Sequence, residues 1–199
     1  MTPATAASLR VVVGALVLLA VASCTTVAPV LYPPATVAEA SFDATGRLSA
    51  RRGNDGGAVH FTWAHAPGLD RLDVATPLGQ VVARLRGDAT GVRVERPGEA
   101  PAAYADWNAM TRVVIGVAIP VEGLSTWIQG SPIAGVDFGI ERDETGRPLV
   151  LRQRGWEIVY AYPEAAASRP SRLVMRYPDS EAIEVRIVVD RFEAGSAAP

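Results

Sequence analysis

Cys24 is the only cysteine in the 199-residue chain. A lone thiol makes no internal disulfide and no thiolate metal site, so its neighbours decide its chemistry. The other reactive side chains are sparse. His60 and His65 are the only histidines; both fall near one alternating segment, and a solvated face accounts for His60. The chain has no H-x-x-x-H pair, no cysteine cluster and no EF-hand pattern. Gly123-Leu124-Ser125-Thr126-Trp127 lacks the second glycine of a nucleophile elbow and lies in a helical stretch. The carboxylates show no pairing suited to glycoside chemistry. An enzyme is therefore not expected, nor a metal or cofactor. The charge balance is 19 basic against 21 acidic residues, and every basic residue is arginine. Without a basic surplus to release counterions from phosphates, nucleic acid is not expected as a partner. Arg51, Arg52, Arg84, Arg86, Arg93 and Arg96 read as outward strand residues, with a docking patch for an acidic or amphipathic partner as the alternative.

The surroundings of Cys24 give it a role. Residues 1–23 read as a secretory signal, with Arg10 and the free amine ahead of an apolar run at residues 11–20. That run is too short to cross a bilayer, which takes about 20 residues, and has the length of a signal core. It ends in Val21-Ala22-Ser23-Cys24, which resembles a bacterial lipobox with valine where leucine is usual. Diacylglyceryl transfer to Cys24 would give a stable anchor, because more than one acyl chain is needed to hold a protein on a membrane. Thr25, rather than Asp, follows the cysteine, and in the common sorting rule this points to the outer membrane. Residues 24–40 contain Pro29, Pro33 and Pro34 and one charge, Glu39, so they read as a stiffened tether. A domain over residues 41–195 would follow.

The elements of that domain are legible as alternation. Hydrophobic residues are 49% and charged residues 20%, a balance that builds a packed core. Phe42, Ala44, Gly46 and Leu48 alternate with polar neighbours, and the turn Gly53-Asn54-Asp55-Gly56-Gly57 follows. The same period of two recurs through Phe61 and Trp63, Leu72 and Val74, Ala83 and Leu85, Val92 and Val94, and then from Phe138 to Val189. About ten to eleven short strands with short turns make an antiparallel meander. A sheet of that size with one apolar face curls into an unclosed barrel. Two segments break the rhythm. Residues 102–114 carry Tyr104, Trp107, Met110, Val113 and Val114 at helical spacing, interrupted by Gly116 and Pro120. Residues 121–128 carry Leu124, Trp127 and Ile128 and stop at Gly130. These two short helices are expected to plug the concave face.

Four segments, in order, carry a resemblance to a known family: Thr45-Gly46-Arg47-Leu48; Thr76-Pro77-Leu78-Gly79; Ile119-Pro120 followed by residues 124–132 with Trp127-Ile128-Gln129-Gly130-Ser131-Pro132; and Gly155-Trp156-Glu157-Ile158-Val159-Tyr160. Together with the lipobox they make the chain similar to the LolB family of outer-membrane lipoprotein receptors, over residues 42–192. The resemblance implies an unclosed antiparallel barrel with helices inside it and an apolar cavity for acyl chains. It also implies a LolA-like periplasmic carrier as partner, acylated lipoproteins as clients, outer-membrane lipids as destination, and a lipid-anchored monomer facing the periplasm. Leu78 is an apolar tip on a turn where polar residues are the rule, and the resemblance makes it a membrane contact. The acyl cavity would draw on Phe61, Trp63, Leu72, Val74, Leu85, Trp107, Met110, Trp127, Ile128, Ile140, Leu151, Trp156, Ile158, Leu173 and Met175, some of which must be ordinary core. Two other readings stay open. One is an outer-membrane lipoprotein that holds a different small apolar ligand or supports envelope assembly; the other is a carrier of the LolA kind.

Overall fold

In the computed structural model, residues 38, 40–115, 119–177 and 183–195 are described. Cys24, the signal, most of the tether, Gly116 and the expected turn at residues 178–180 lie outside them. The strands are β1 (Phe42–Arg52), β2 (Asp55–Ala66), β3 (Leu69–Ala75), β4 (Val81–Asp88), β5 (Gly91–Glu95), β6 (Ala102–Tyr104), β7 (Phe138–Arg142), β8 (Pro148–Gln153), β9 (Trp156–Ala161), β10 (Arg172–Tyr177) and β11 (Ile183–Ala194). They form one antiparallel sheet in the order β6-β5-β4-β3-β2-β1-β11-β10-β9-β8-β7. Strands adjacent in sequence pair with each other, except β6 and β7, and the first and last strands meet at the centre. Among the described residues β6 and β7 are unpaired edges, so the sheet is unclosed.

Turn chemistry fixes the hairpins. The β1–β2 loop is only Gly53-Asn54, since Arg52 pairs with Asp55. The five-residue turn read from sequence is thus shorter, and Asp55 to Gly57 belong to β2. Backbone pairing takes up residues that would otherwise be left unbonded in a loop. Arg154 and Gly155 join β8 to β9 with φ of 52° and 77°, as a two-residue hairpin of matching twist requires. Gly46 marks a bulge where β1 pairs with β11. A Cβ there would lie 2.1 Å from the Val188 carbonyl oxygen and 2.8 Å from Cζ of Phe61, so only glycine fits between them.

Two helices link the sheet's edges: α1 (Trp107–Ile115) and α2 (Val121–Trp127). The second matches the sequence reading. The first starts later than the helical spacing predicts: residues 102–104 form β6, and Tyr104 pairs with Val92. Asp106 explains the boundary. Its Oδ1 accepts the Ala109 N–H at 2.7 Å and its carbonyl accepts the Met110 N–H at 3.1 Å, as an N-cap does. Val113 lies on the outer side of α1, 70% exposed, not on the packed side. Among the described residues, no helix is long and apolar enough to cross a membrane.

The helices force curvature. α1 rests on the β4 side of the sheet, where a Cβ at Gly87 would lie 2.5 Å from the Trp107 indole. α2 is bonded to β8 through Trp127. From β4 to β8 across a flat sheet would be about 34 Å at the usual strand spacing. Two touching helices of nine and seven residues cannot bridge that, so the sheet curls around them. Opposite the apolar face, exposed cross-strand ion pairs line the outside, such as Arg47–Asp190, Arg152 between Glu141 and Glu157, and Arg176–Glu184. Each adds little to stability.

Candidate functional site

Every strand sends alternate side chains inward, and the helices meet them there. Trp63, Trp127, Ile128, Leu151, Ile158, Leu173 and Met175 are each under 2% exposed, and Phe61, Trp107, Met110 and Trp156 are also buried. These eleven candidates form one continuous apolar cluster. Leu72, Leu85 and Ile140 pack against its margin, and Val74 is half-buried beside them on β3, opposite Phe61 and Ala83. The eleven strand residues among the fifteen candidates therefore share the sheet's inner face, and Trp107, Met110, Trp127 and Ile128 join the cluster from the helical segments. With α1 and α2 beside the sheet, the buried members from strands and helices join one apolar cluster. An apolar surface held apart from its neighbours would lose both hydrophobic and dispersion stabilisation, so closure is the expected resting arrangement. An open depression of about 490 Å³ lies at one margin, lined by Phe138, Arg152, Gln153 and Trp156 among others.

Polar ties hold the roof to the sheet, and the sequence reading missed them. Gln153 is buried at an inward position of β8. Its Oε1 accepts the Trp127 indole N–H at 2.9 Å and the Ile133 N–H at 2.8 Å. Its Nε2 donates to the carbonyls of Ile133 and Val136, each at 3.0 Å. One side chain thus fastens α2 and the loop after it. Thr111 does the same between the helices: its hydroxyl donates to the Trp107 carbonyl and accepts the Ile119 N–H at 2.8 Å. On the far side, buried Asp70 accepts the Trp63 indole N–H at 2.7 Å, and Nδ1 of His65 lies 2.7 Å from the same oxygen. His60, by contrast, faces solvent. The signal for Gln153 and Asp70 was present: each is a polar residue in phase with inward apolar ones, Leu151 on β8 and Leu72 on β3.

Tyr160 is different. It lies on the inward face of β9, 4% exposed, and its hydroxyl has no hydrogen-bond partner among the described residues. Burial pushes its pKa well above the ordinary tyrosine value, so the group stays protonated. Burial also pushes Tyr162 up to about 12, offset in part by the Arg147 guanidinium, which stacks 4.5 Å over its ring. The Tyr162 hydroxyl donates to the Pro148 carbonyl at 3.0 Å.

Leu78 stands apart from the interior, 97% exposed at the tip of the β3–β4 hairpin. The turn is rigid. Gly79 N–H donates to the Thr76 carbonyl at 2.8 Å and Thr76 N–H to the Gln80 carbonyl at 2.8 Å. Pro77 fixes one φ, and Gly79 takes φ 85°, a left-handed conformation that suits glycine. Leu78 therefore does not fold back onto a strand. Among the described residues, no three His, Cys, Asp or Glu side chains gather as metal ligands.

A family model described as outer membrane lipoprotein LolB matches residues 40–192. An outer-membrane lipoprotein LolB from Thiobacillus denitrificans is 34% identical over 178 residues, covering 88% of this chain and 92% of the relative. One from Cupriavidus necator is 34% identical over 174 residues, covering 84% and 88%. Among solved structures, a DUF1329 family protein from Desulfovibrio piger superposes with a TM-score of 0.51 at 10% identity, covering 81% of this chain and 88% of that one, a likeness of fold alone. A LolA superfamily protein from Nitrosomonas europaea gives a TM-score of 0.49 at 11% identity, covering 84% and 90%. The matched segment takes in the sheet, the Leu78 hairpin and both helices, and family membership assigns no enzymatic activity. The chain belongs to the LolB family of outer-membrane lipoproteins.

Proposed function

We propose that this protein receives acylated lipoproteins from a LolA-like periplasmic carrier, holds their acyl chains between its sheet and its two helices, and releases them into the outer membrane. Cys24 is the lipidation site, residues 24–40 are the tether, and the domain over residues 41–195 works as a monomer facing the periplasm. The observation that carries the reading is the continuous apolar inner face, roofed by two helices so short that they depend on the sheet for stability. Such a roof can lift without unfolding the sheet, and the cluster beneath it then lines an acyl-chain cavity. Rotamer-rich Met110 and Met175 and the broad rings of Trp63, Trp107, Trp127 and Trp156 suit chains of more than one shape.

Direction comes from successive affinities: each tenfold step between carrier, receptor and bilayer needs about 1.4 kcal/mol. Leu78 acts at the last step. Inserting one leucine gains roughly 1.5–3 kcal/mol, too little to anchor a protein but enough to bias release at a surface to which it is already tethered. The test is a transfer assay. The full chain carrying Cys24→Ala is mixed with a carrier loaded with a labelled lipoprotein, and the label is followed between them. The client is expected to move to the receptor. A client that stays on the carrier at every receptor concentration removes the reading.

A further inference from the structure

The Tyr160 hydroxyl is a buried donor that finds no acceptor among the described residues. A satisfied core keeps such groups paired, so an orphan on the inward face of β9 asks for a partner that the described residues do not supply. Its surroundings narrow the chemistry. Ile158 shares its face, Leu173 lies opposite on β10, and Met175 lies opposite Ile158; all three are essentially unexposed. A charged or strongly hydrated group would meet a steep desolvation cost there, so the partner is a neutral acceptor. The raised pKa keeps the phenol in its donating form.

Position narrows it further. The β8–β9 register pairs Val150 with Val159, which sets Leu149 beside Tyr160 on the same face. Leu149 is 40% exposed, whereas Leu151, two residues on, is fully buried. The tyrosine therefore sits where the inner face passes from rim to interior. An acyl chain entering there would leave its head near the rim and send its tail toward Leu151 and Ile158.

We propose that the Tyr160 hydroxyl hydrogen-bonds a carbonyl oxygen of the ester linkage in the cargo's acyl group, placing the lipid head at the rim of the inner face. The proposal rests on the acyl-receptor reading above, and its test separates the two. Two synthetic diacylglyceryl-cysteine lipopeptides with equal chains are titrated against the full chain carrying Cys24→Ala. One has ester linkages; the other has ether linkages and no acyl carbonyl. The protein is expected to bind the ester about tenfold more tightly, equivalent to about 1.4 kcal/mol. With Tyr160→Phe added, that preference disappears because the ester loses affinity, while ether binding stays unchanged.

Thermal unfolding of Tyr160→Phe without ligand supplies the second readout. Loss of an orphan hydroxyl leaves stability equal or higher; a clear loss shows that the hydroxyl is already bonded in the unliganded protein and overturns the proposal. Equal binding of ester and ether by the unsubstituted protein overturns it too, while leaving the receptor reading intact. Failure to bind either lipopeptide sinks the receptor reading itself. A diacyl phospholipid and its dialkyl ether form the remaining pair. An ester preference for both lipid types supports the contact; a preference confined to phospholipid shows that the tyrosine serves membrane lipid and overturns the cargo assignment.

Discussion

Replacing Gln153 with leucine removes every polar tie that this side chain makes to the roof while keeping its volume nearly constant. Trp127 is 0% exposed, so its indole N–H loses its acceptor with no water to replace it. That costs roughly 1–3 kcal/mol. The Ile133 N–H and the carbonyls of Ile133 and Val136 sit in partly buried surroundings and recover some hydration by shifting outward. A total loss of about 3–5 kcal/mol follows from these group costs. In urea, with a slope of about 2 kcal/mol per molar, the midpoint falls by about 1.5–2.5 M. The slope stays unchanged if the sheet is intact, and the variant takes up an apolar dye faster because α2 lifts more often. A midpoint within about 0.3 M of the unsubstituted protein, on the same slope scale, refutes the idea that Gln153 fastens the roof.

Other substitutions probe different parts. Leu78→Glu changes stability by no more than about 0.5 kcal/mol, as expected for an exposed tip, yet slows release of bound lipoprotein into vesicles about tenfold or more, given the insertion energy of one leucine. Normal release from that variant removes Leu78 from the mechanism. Gly87→Ala forces a Cβ to within 2.5 Å of the Trp107 indole; a loss of roughly 1–3 kcal/mol and a changed near-ultraviolet circular dichroism spectrum are expected. At high pH buried Tyr160 and half-buried Tyr162 set the trend. Their pKa values are raised in the folded state from the ordinary value of 10.0, so the unfolded chain releases its protons first. Stability is complete below pH 10 and falls above it, a slope measurable by chemical unfolding at successive pH values.

Alternation made most of the strands legible, because an inward apolar residue every second position fits only a sheet with one dry face. Helix α2 was legible for a similar reason, with Leu124, Trp127 and Ile128 on one side and Gly130 beyond. The boundary of α1 was not. Tyr104 has both the helical spacing and the β propensity of its type, and only its pairing with Val92 decides the matter. The meeting of β1 with β11 is also non-local, since no turn joins them. Within the site, the apolar face could be read but its fastenings could not. Gln153 and Asp70 stand in inward positions where a polar residue interrupts the pattern; their partners Trp127, Ile133 and Trp63 are set by the tertiary fold. Leu78 was visible as an apolar tip, whereas its near-complete exposure depends on the hydrogen-bonded turn beneath it.

All four tryptophans of the chain, Trp63, Trp107, Trp127 and Trp156, lie in the buried cluster between sheet and helices, which makes their fluorescence a direct gauge of what enters. The decisive measurement is quenching by a diacyl lipopeptide carrying bromine midway along its chains. Saturable quenching at one lipopeptide per protein, absent with an unbrominated analogue, is the expected result. Tight binding with unquenched tryptophans would place the chains elsewhere on the molecule and contradict an acyl cavity beneath the helices.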